Sequence, residues 1–424
     1  MGGYCDRIYL DSGSEGWTAI EIDESGWKEQ ADPGVKFQRS RRIGQLPKPT
    51  TGGAVTDLGR LINTSSERDL ILIVAWLLGA LRPVGPYPIL ILQGEQGSAK
   101  STAARILRSL VDPSIPLLRA APRNERDLMI SASQSWVLAY DNLSCLKDWL
   151  SDAFCRLATG GGFATRELHT DSEEVVFEAQ RPIILNGIED LAARQDLADR
   201  AIVVNLPPIP EEKRRTEREL QQTLEEIAPQ ILGALYTAMS AGLRGFSKVN
   251  LPGFPRMADF AQFVTAAEEG LPWLSGSFID SYSKNRSEAI EVALDNDLVG
   301  SAIRELVRAH NCWAGTATEL LRELEEYADE RLRRTPAWPK TPRSISARLK
   351  RSATFLRSIG VEVRFYRESG SNSRRLISIE EFASQPSHPS QTPRPGAVCN
   401  VPALRRKPRK KRRKRPRDGR NLKL

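Results

Sequence analysis

The stretch from Pro88 to Thr102 constrains this 424-residue chain more than any other. An apolar run of strand length, Ile89 to Leu92, feeds a turn containing Gly94 and Gly97. That turn ends in Lys100 and Ser101, at the head of a helix-forming segment from Ala103 to Leu110. This is the layout a polyphosphate site needs. Glycines let backbone N–H groups approach phosphate oxygens, and the helix N-terminus adds partial positive charge. Lys100 then reaches the β- and γ-phosphates, and the Ser101 hydroxyl can hold Mg²⁺. The expected ATP cradle is Gly94, Glu95, Gln96, Gly97, Ser98, Ala99, Lys100, Ser101 and Thr102. The usual pattern has Gly directly before the Lys, and Ala99 stands there instead. Taken alone, the motif also fits an ordinary strand–turn–helix.

The net charge of +8 is concentrated at one end. Arg405 to Lys423 holds thirteen Lys/Arg and one Asp, a local +12, which leaves the rest of the chain at −4. Any nucleic-acid argument for the body therefore rests on placement rather than bulk charge. The longest apolar candidate, Leu70 to Leu81, is too short to cross a bilayer. The first residues lack a basic patch followed by an apolar stretch, so no secretory signal is expected. The five cysteines (Cys5, Cys145, Cys155, Cys312 and Cys399) are scattered, the three histidines lie far apart, and no pair has zinc-ligand spacing. Reduced thiols, no metal cluster and a cytoplasmic setting are expected.

Residues 1–50 read as a small β-rich segment, with strands at Arg7–Leu10 and Trp17–Ile22. Residues 51–210 read as a P-loop core. A helix over Ser66–Leu81 precedes strands at Ile89–Leu92, Trp136–Tyr140, Val175–Glu178, Pro182–Leu185 and Ala201–Leu206, alternating with helical stretches. That alternation predicts an α/β fold with a mainly parallel sheet. Residues 211–295 read as a helical lid, with Pro229 expected to start a second helix. Within 296–382, three helical patterns (Asp297–His310, Thr316–Arg331, Pro342–Ile359) precede a hairpin, the order of a winged helix. Residues 383–424, rich in Pro, Ser, Arg and Lys, are expected to be disordered.

Three further residues fall at strand edges. Asp141 follows Val137–Tyr140 and can bind Mg²⁺ through water. Asn186 ends Pro182–Leu185, where an amide can bond both a γ-phosphate and an attacking water. Arg200 sits just before the next strand, where its cation can reach the ATP of a neighbouring subunit. Each has a plainer alternative: turns at Asp141–Asn142 and Asn186–Gly187, and an ion pair from Arg200 to Asp196 or Asp199.

The order of phosphate loop, Asp141, Asn186 and Arg200 resembles the AAA+ core of superfamily 3 helicases, most of all the helicase part of viral and phage primase–helicases. The segment Leu157 to His169, with Gly160, Gly161, Gly162 and Arg166, resembles their hairpin element facing the DNA channel. The resemblance covers about residues 65–210. It implies an ATPase with bound ATP and Mg²⁺, a homo-oligomeric ring (a hexamer), and a primase or other replication partner. It also implies a second acid after the Walker B Asp, but Asn142 stands there. An amide can orient water but cannot take its proton. Glu189 or Asp190 could substitute if their loop folds back.

Candidate DNA contacts are Phe163, Arg166 and His169 on the hairpin, with Arg123 and Arg126 as further possibilities. Arg166 can instead pair with Glu173 or Glu174, and Arg256, a lid candidate, with Asp259. In the winged unit, Arg348 and Arg351 share a helix face and Arg374 and Arg375 flank the wing. The expected function is ATP-driven DNA unwinding or translocation in replication of a phage, plasmid or integrated element. The alternative is a DNA-bound ATP switch or loader that does not unwind. No acidic pair in residues 1–50 has the look of a primase metal site, so primer synthesis is not expected.

Overall fold

The computed structural model describes residues 1–4, 6–166, 174–188, 191–251, 253–335, 338–368 and 373–382. His169, Glu189, Asp190 and the basic tail lie outside the described residues.

Four short strands open the chain: β1 (Gly2–Tyr4), β2 (Arg7–Asp11), β3 (Ala19–Asp23) and β4 (Gly26–Gln30). They pair antiparallel in sequence order. Ile8, Leu10, Ile20 and Ile22 fall at alternate positions and join the main core. Trp27 meets Tyr236 edge-on and its indole N–H donates to Thr237 Oγ1 at 3.1 Å, so this sheet is docked on the body. Helix α1 (Glu67–Ala80) follows, and the Ser66 hydroxyl caps it by accepting the Asp69 N–H at 3.2 Å. Every residue from Ile71 to Ala80 is buried, as befits a helix apolar on all sides.

The central layer is built from β5 (Ile89–Gln93), α2 (Lys100–Ser109), α3 (Glu125–Gln134), β6 (Leu138–Leu143), α4 (Asp148–Thr159), β7 (Gly161–Arg166), β8 (Glu174–Ala179), β9 (Ile183–Gly187), α5 (Gln195–Ala198) and β10 (Ala201–Asn205). Its sheet has the order β10-β5-β9-β6, and each neighbouring pair is parallel. Leu90 and Leu92 face one core while Ile89 and Ile91 face the other. Covering on both faces explains why these strands read as unbroken apolar runs.

The run Val175–Glu178 does not enter this sheet. As part of β8 it pairs antiparallel with β7, from Gly161 opposite Ala179 to Arg166 opposite Glu174. Arg166 and Glu174 are only eight positions apart in the sequence, too few for a parallel crossover of about a dozen residues or more.

Helices α6 (Glu217–Gly245), α7 (Ala258–Ala267) and α8 (Ser277–Asp295) pack beside the sheet. Pro229 lies inside α6 rather than starting a new helix. Its apolar face runs through the proline without a break: Ile227, Ala228, Ile231, Leu232 and Leu235 are all buried. The segment around Thr50 docks at the same place, its N–H donating to the Pro229 carbonyl at 2.9 Å. On α8, the Asn285 side chain closes the β10 edge. Its Nδ2 donates to the Val203 carbonyl at 2.6 Å and its Oδ1 accepts the Val203 N–H at 3.0 Å.

The last unit comprises α9 (Leu298–His310), β11 (Cys312–Gly315), α10 (Ala317–Tyr327), α11 (Glu330–Arg334), α12 (Pro342–Ser358), β12 (Val361–Arg367) and β13 (Arg375–Glu381). Its antiparallel sheet has the order β11-β13-β12 and its own core. The short half-buried β11 is not evident in the sequence pattern, and the helix expected over Thr316–Arg331 divides into α10 and α11.

Gly233 of α6 tests the docked linker. A Cβ there would fall 1.9 Å from the Thr50 carbonyl oxygen. Glycine to alanine within a free helix stabilises by about 1 kcal/mol. Here Gly233→Ala is expected to destabilise by about 1–3 kcal/mol through overpacking, read as a lower urea midpoint.

Candidate functional site

The C-terminal edge of the parallel sheet gathers the loop after β5, the end of β6 and the end of β9. Gly94, with φ +148°, turns the chain out of β5, and a Cβ there would meet the Leu206 carbonyl oxygen at 2.3 Å. Gly97 (φ +85°) and Ala99 (φ +61°) are both left-handed. Alanine pays a steric cost of about 1–2 kcal/mol in that conformation, which is why glycine is usual at this place. Ala99 is the N-cap of α2, so the first N–H groups of that helix open onto the loop. The Ser98 hydroxyl is buried and donates to the Glu95 carbonyl at 2.9 Å. Glu95 and Gln96 are exposed, and Thr102 lines the adjoining cleft.

Lys100 folds back over its own loop. Its ammonium donates to the carbonyls of Gly94 at 2.8 Å and Glu95 at 2.7 Å, and to Ser98 Oγ at 3.3 Å. Burial lowers its pKa, and the negative charge of Asp141 acts against that shift. The Ser101 hydroxyl donates to Asp141 Oδ1 at 2.7 Å, joining the head of α2 to the end of β6. Two facing hard oxygens of this kind suit Mg²⁺.

β6 is irregular between Tyr140 and Leu143, and Asn142 there has φ +56°. Asparagine tolerates this conformation better than glutamate does. The backbone thus gives a physical reason for an amide where the helicase resemblance implies an acid. The Asn142 N–H donates to Asn186 Oδ1 at 2.8 Å. Asn186 is 1% exposed, and its Nδ2 has no hydrogen-bond partner among the described residues. A buried amide donor left unpaired costs about 1–3 kcal/mol, so it marks a place where a ligand oxygen would be stabilising.

Lys100, Ser101, Asp141, Asn142 and Asn186 therefore converge, and Arg200 does not join them. It precedes the first residue of β10, at the opposite edge of the sheet, where its carbonyl accepts the Ile89 N–H at 2.9 Å. Only 7% exposed, its guanidinium is held by the Asp196 carboxylate and, at 2.7 Å, by the Asp196 carbonyl. Arg256 meets Asp199 at 3.8 Å rather than the expected Asp259, and Arg286 also pairs with Asp199, through Nε at 2.6 Å.

One basic cluster went unrecognised in the sequence. After β10 the chain passes beside the loop, the Ile209 N–H donating to the Gly97 carbonyl at 3.1 Å. It then presents Lys213, Arg214 and Arg215. A cleft of about 1050 Å³ opens there, lined by Gln96, Gly97, Thr102, Arg60, Lys213 and Arg214. Arg214 Nη2 would lie 3.6 Å from a Cβ placed on Gly97. The signal was present as the run Glu211 to Arg215 directly after the last strand, but it reads equally as a charged helix start.

The proposed DNA contacts are dispersed. Phe163 and Arg166 occupy β7, opposite Phe177 and Glu174, and their side chains lie outside the described residues. Arg123 and Arg126 are exposed around the start of α3. Arg351 is exposed on α12, whereas Arg348 is tied to Asp297 at 3.0 Å. Arg374 pairs with Glu368 at 2.9 Å, and Arg375 is exposed opposite Arg367.

A parallel sheet with a glycine-bearing loop at its C-terminal edge is consistent with a P-loop-like α/β core. Residues 55–275 match the family of actinomycete integrative conjugative element replication proteins, and residues 299–393 match the AICE RepA C-terminal domain. The first match spans more than half of the chain, and the chain belongs to that replication-protein family. Its function lies in mobile-element replication. Among solved structures it is similar to the apo NrS-1 C-terminal region: one form shares 12% identity over 82% of this chain and 79% of that one, with a TM-score of 0.37. A second shares 15% over 80% and 79%, with a TM-score of 0.38. Comparison with curated proteins gives no match. Among the described residues, no helix is long and apolar enough to cross a membrane.

Ala99→Gly should leave stability unchanged or raise it by up to about 1 kcal/mol, since relief of left-handed strain outweighs added unfolded-state entropy. Asn142→Glu should lower it by about 1 kcal/mol. Chemical denaturation of the full chain reads both.

Proposed function

We propose that this replication protein is an ATPase that translocates on or unwinds DNA. The observation that carries the reading is the buried Asn186 amide with an unpartnered Nδ2, bonded to the strand that presents Asp141, at the edge that also holds Lys100 and Ser101. Backbone N–H groups at the head of α2 would bind phosphate oxygens. Lys100 would exchange its loop carbonyls for the β- and γ-phosphates, and Ser101 and Asp141 would hold Mg²⁺. When bound, that ion would stabilise negative charge on the phosphates. The free Asn186 Nδ2 would donate to the terminal phosphate or the attacking water, while Asn142 keeps its partner oxygen fixed. Arg214, beside Gly97, would add positive charge from the same chain.

The reading extends to a ring, a hexamer by resemblance, with Arg200 reaching a neighbouring subunit after release from Asp196. The C-terminal unit, helix–strand–helix–helix–helix–hairpin with its first strand paired to its last, would act as a winged helix on DNA. A primase or another replication protein would act beside it.

A second reading is supported by Asn142. Without a carboxylate there, the protein can bind ATP and DNA as a switch or loader and not unwind. A strand-displacement assay separates the two, because ATP binding with DNA affinity but no displacement favours the switch.

Phosphate release by the full chain with single-stranded DNA is the primary test. Turnover well above that of Lys100→Ala is expected, with Asn186→Ala reduced about 100-fold, the size of a lost transition-state hydrogen bond. Wild-type turnover no greater than that of Lys100→Ala would refute ATP hydrolysis at this site.

A further inference from the structure

The β12–β13 hairpin extends past the core of its unit. Val361 and Val363 are buried, but Arg364, Phe365, Tyr366 and Arg367 are exposed. Between Val363 and Leu376 the sequence holds four arginines and one glutamate, so the far half of the hairpin is basic. The two aromatic rings lie on opposite faces. Phe365 shares the core-side face with Val363, and the Lys350 ammonium covers it at 5.2 Å from the ring centroid. Tyr366 is 45% exposed and has no ring or cation contact among the described residues.

On its own face, Tyr366 is flanked by arginines. Arg364 lies two residues before it on β12, and Leu376 is its partner across the ladder. Arg374 lies two residues before Leu376, so it belongs to the same face, and Glu368 steadies it at 2.9 Å. An aromatic ring on a paired strand is already ordered, so little rotamer freedom is lost when something stacks on it. The Arg364 guanidinium matches a polyanion, and Arg374 would do so on exchanging Glu368 for a phosphate. Base faces are open to such a ring only where bases are unpaired. Of the two helix cations expected to contact DNA, Arg348 is committed to Asp297, while Arg351 is exposed.

We infer that Tyr366 is a stacking site for an unpaired base of single-stranded DNA, with Arg364 and Arg374 on the neighbouring phosphates. This rests on the reading that the C-terminal unit acts on DNA, and it adds which form of DNA and which residue.

The test compares the full chain with Tyr366→Ala and Tyr366→Phe, measuring anisotropy of a labelled single strand and of a blunt duplex. Tyr366→Ala should weaken single-strand binding about ten-fold and leave duplex binding unchanged, and Tyr366→Phe should restore it. A strand carrying 5-iodouracil should crosslink at Tyr366. Wild-type affinity in Tyr366→Ala, or an equal loss for both DNA forms, would overturn the stacking site while leaving DNA binding by the unit intact. Failure of the wild-type protein to bind either DNA would overturn both.

Discussion

Placing β9 between β5 and β6 is the constraint on which the rest of the structure depends. This order sets Asn186 beside Leu92, two residues before the loop opens at Gly94. It also sets Asn186 against the irregular end of β6, where its Oδ1 accepts the Asn142 N–H. With Ser101 bonded to Asp141, the loop, the acid and the amide are joined by two short hydrogen bonds across three elements. Sheet burial on both faces makes that register hard to shift, because a slip of one residue would turn the apolar residues of each strand to the other core.

Two non-glycine residues at this edge adopt left-handed backbone, Ala99 and Asn142. Local strain of this kind persists only where surrounding structure holds it. At Ala99 the holding structure is α2, whose Ala103 N–H donates to the Ala99 carbonyl at 2.9 Å. At Asn142 it is Asn186. The departures from the helicase pattern therefore have different characters. Ala99 keeps the backbone that glycine would adopt. Asn142 places a residue better suited to its backbone where the resemblance implies a carboxylate.

The parallel strands were legible because burial on both faces leaves continuous apolar runs, and the loop because its glycines, lysine and serine sit at fixed offsets. The hairpin at the end of the chain was legible from alternation and a polar turn. β8 was misassigned because periodicity alone does not distinguish a central strand from a hairpin arm. Pro229 was read as a helix start because its tolerance inside α6 depends on packing along both halves of the helix. Arg200 was read as reaching outward with an ion pair to Asp196 as its plainer alternative, and that alternative is the one found. Arg348 was read as reaching outward, yet Asp297 holds it, a pairing between distant segments that depends on the final fold. The cleft beside Lys213 and Arg214 is a tertiary feature, assembled from three separated segments.

The most direct measurement is a structure of the full chain with Mg²⁺ and a non-hydrolysable ATP analogue. The account requires the β- and γ-phosphates on the backbone N–H groups of Gly97 to Ser101, the ion beside Ser101 and Asp141, and Asn186 Nδ2 within hydrogen-bond reach of the terminal phosphate. A triphosphate bound elsewhere, with the Lys100 ammonium still on the carbonyls of Gly94 and Glu95, would contradict it.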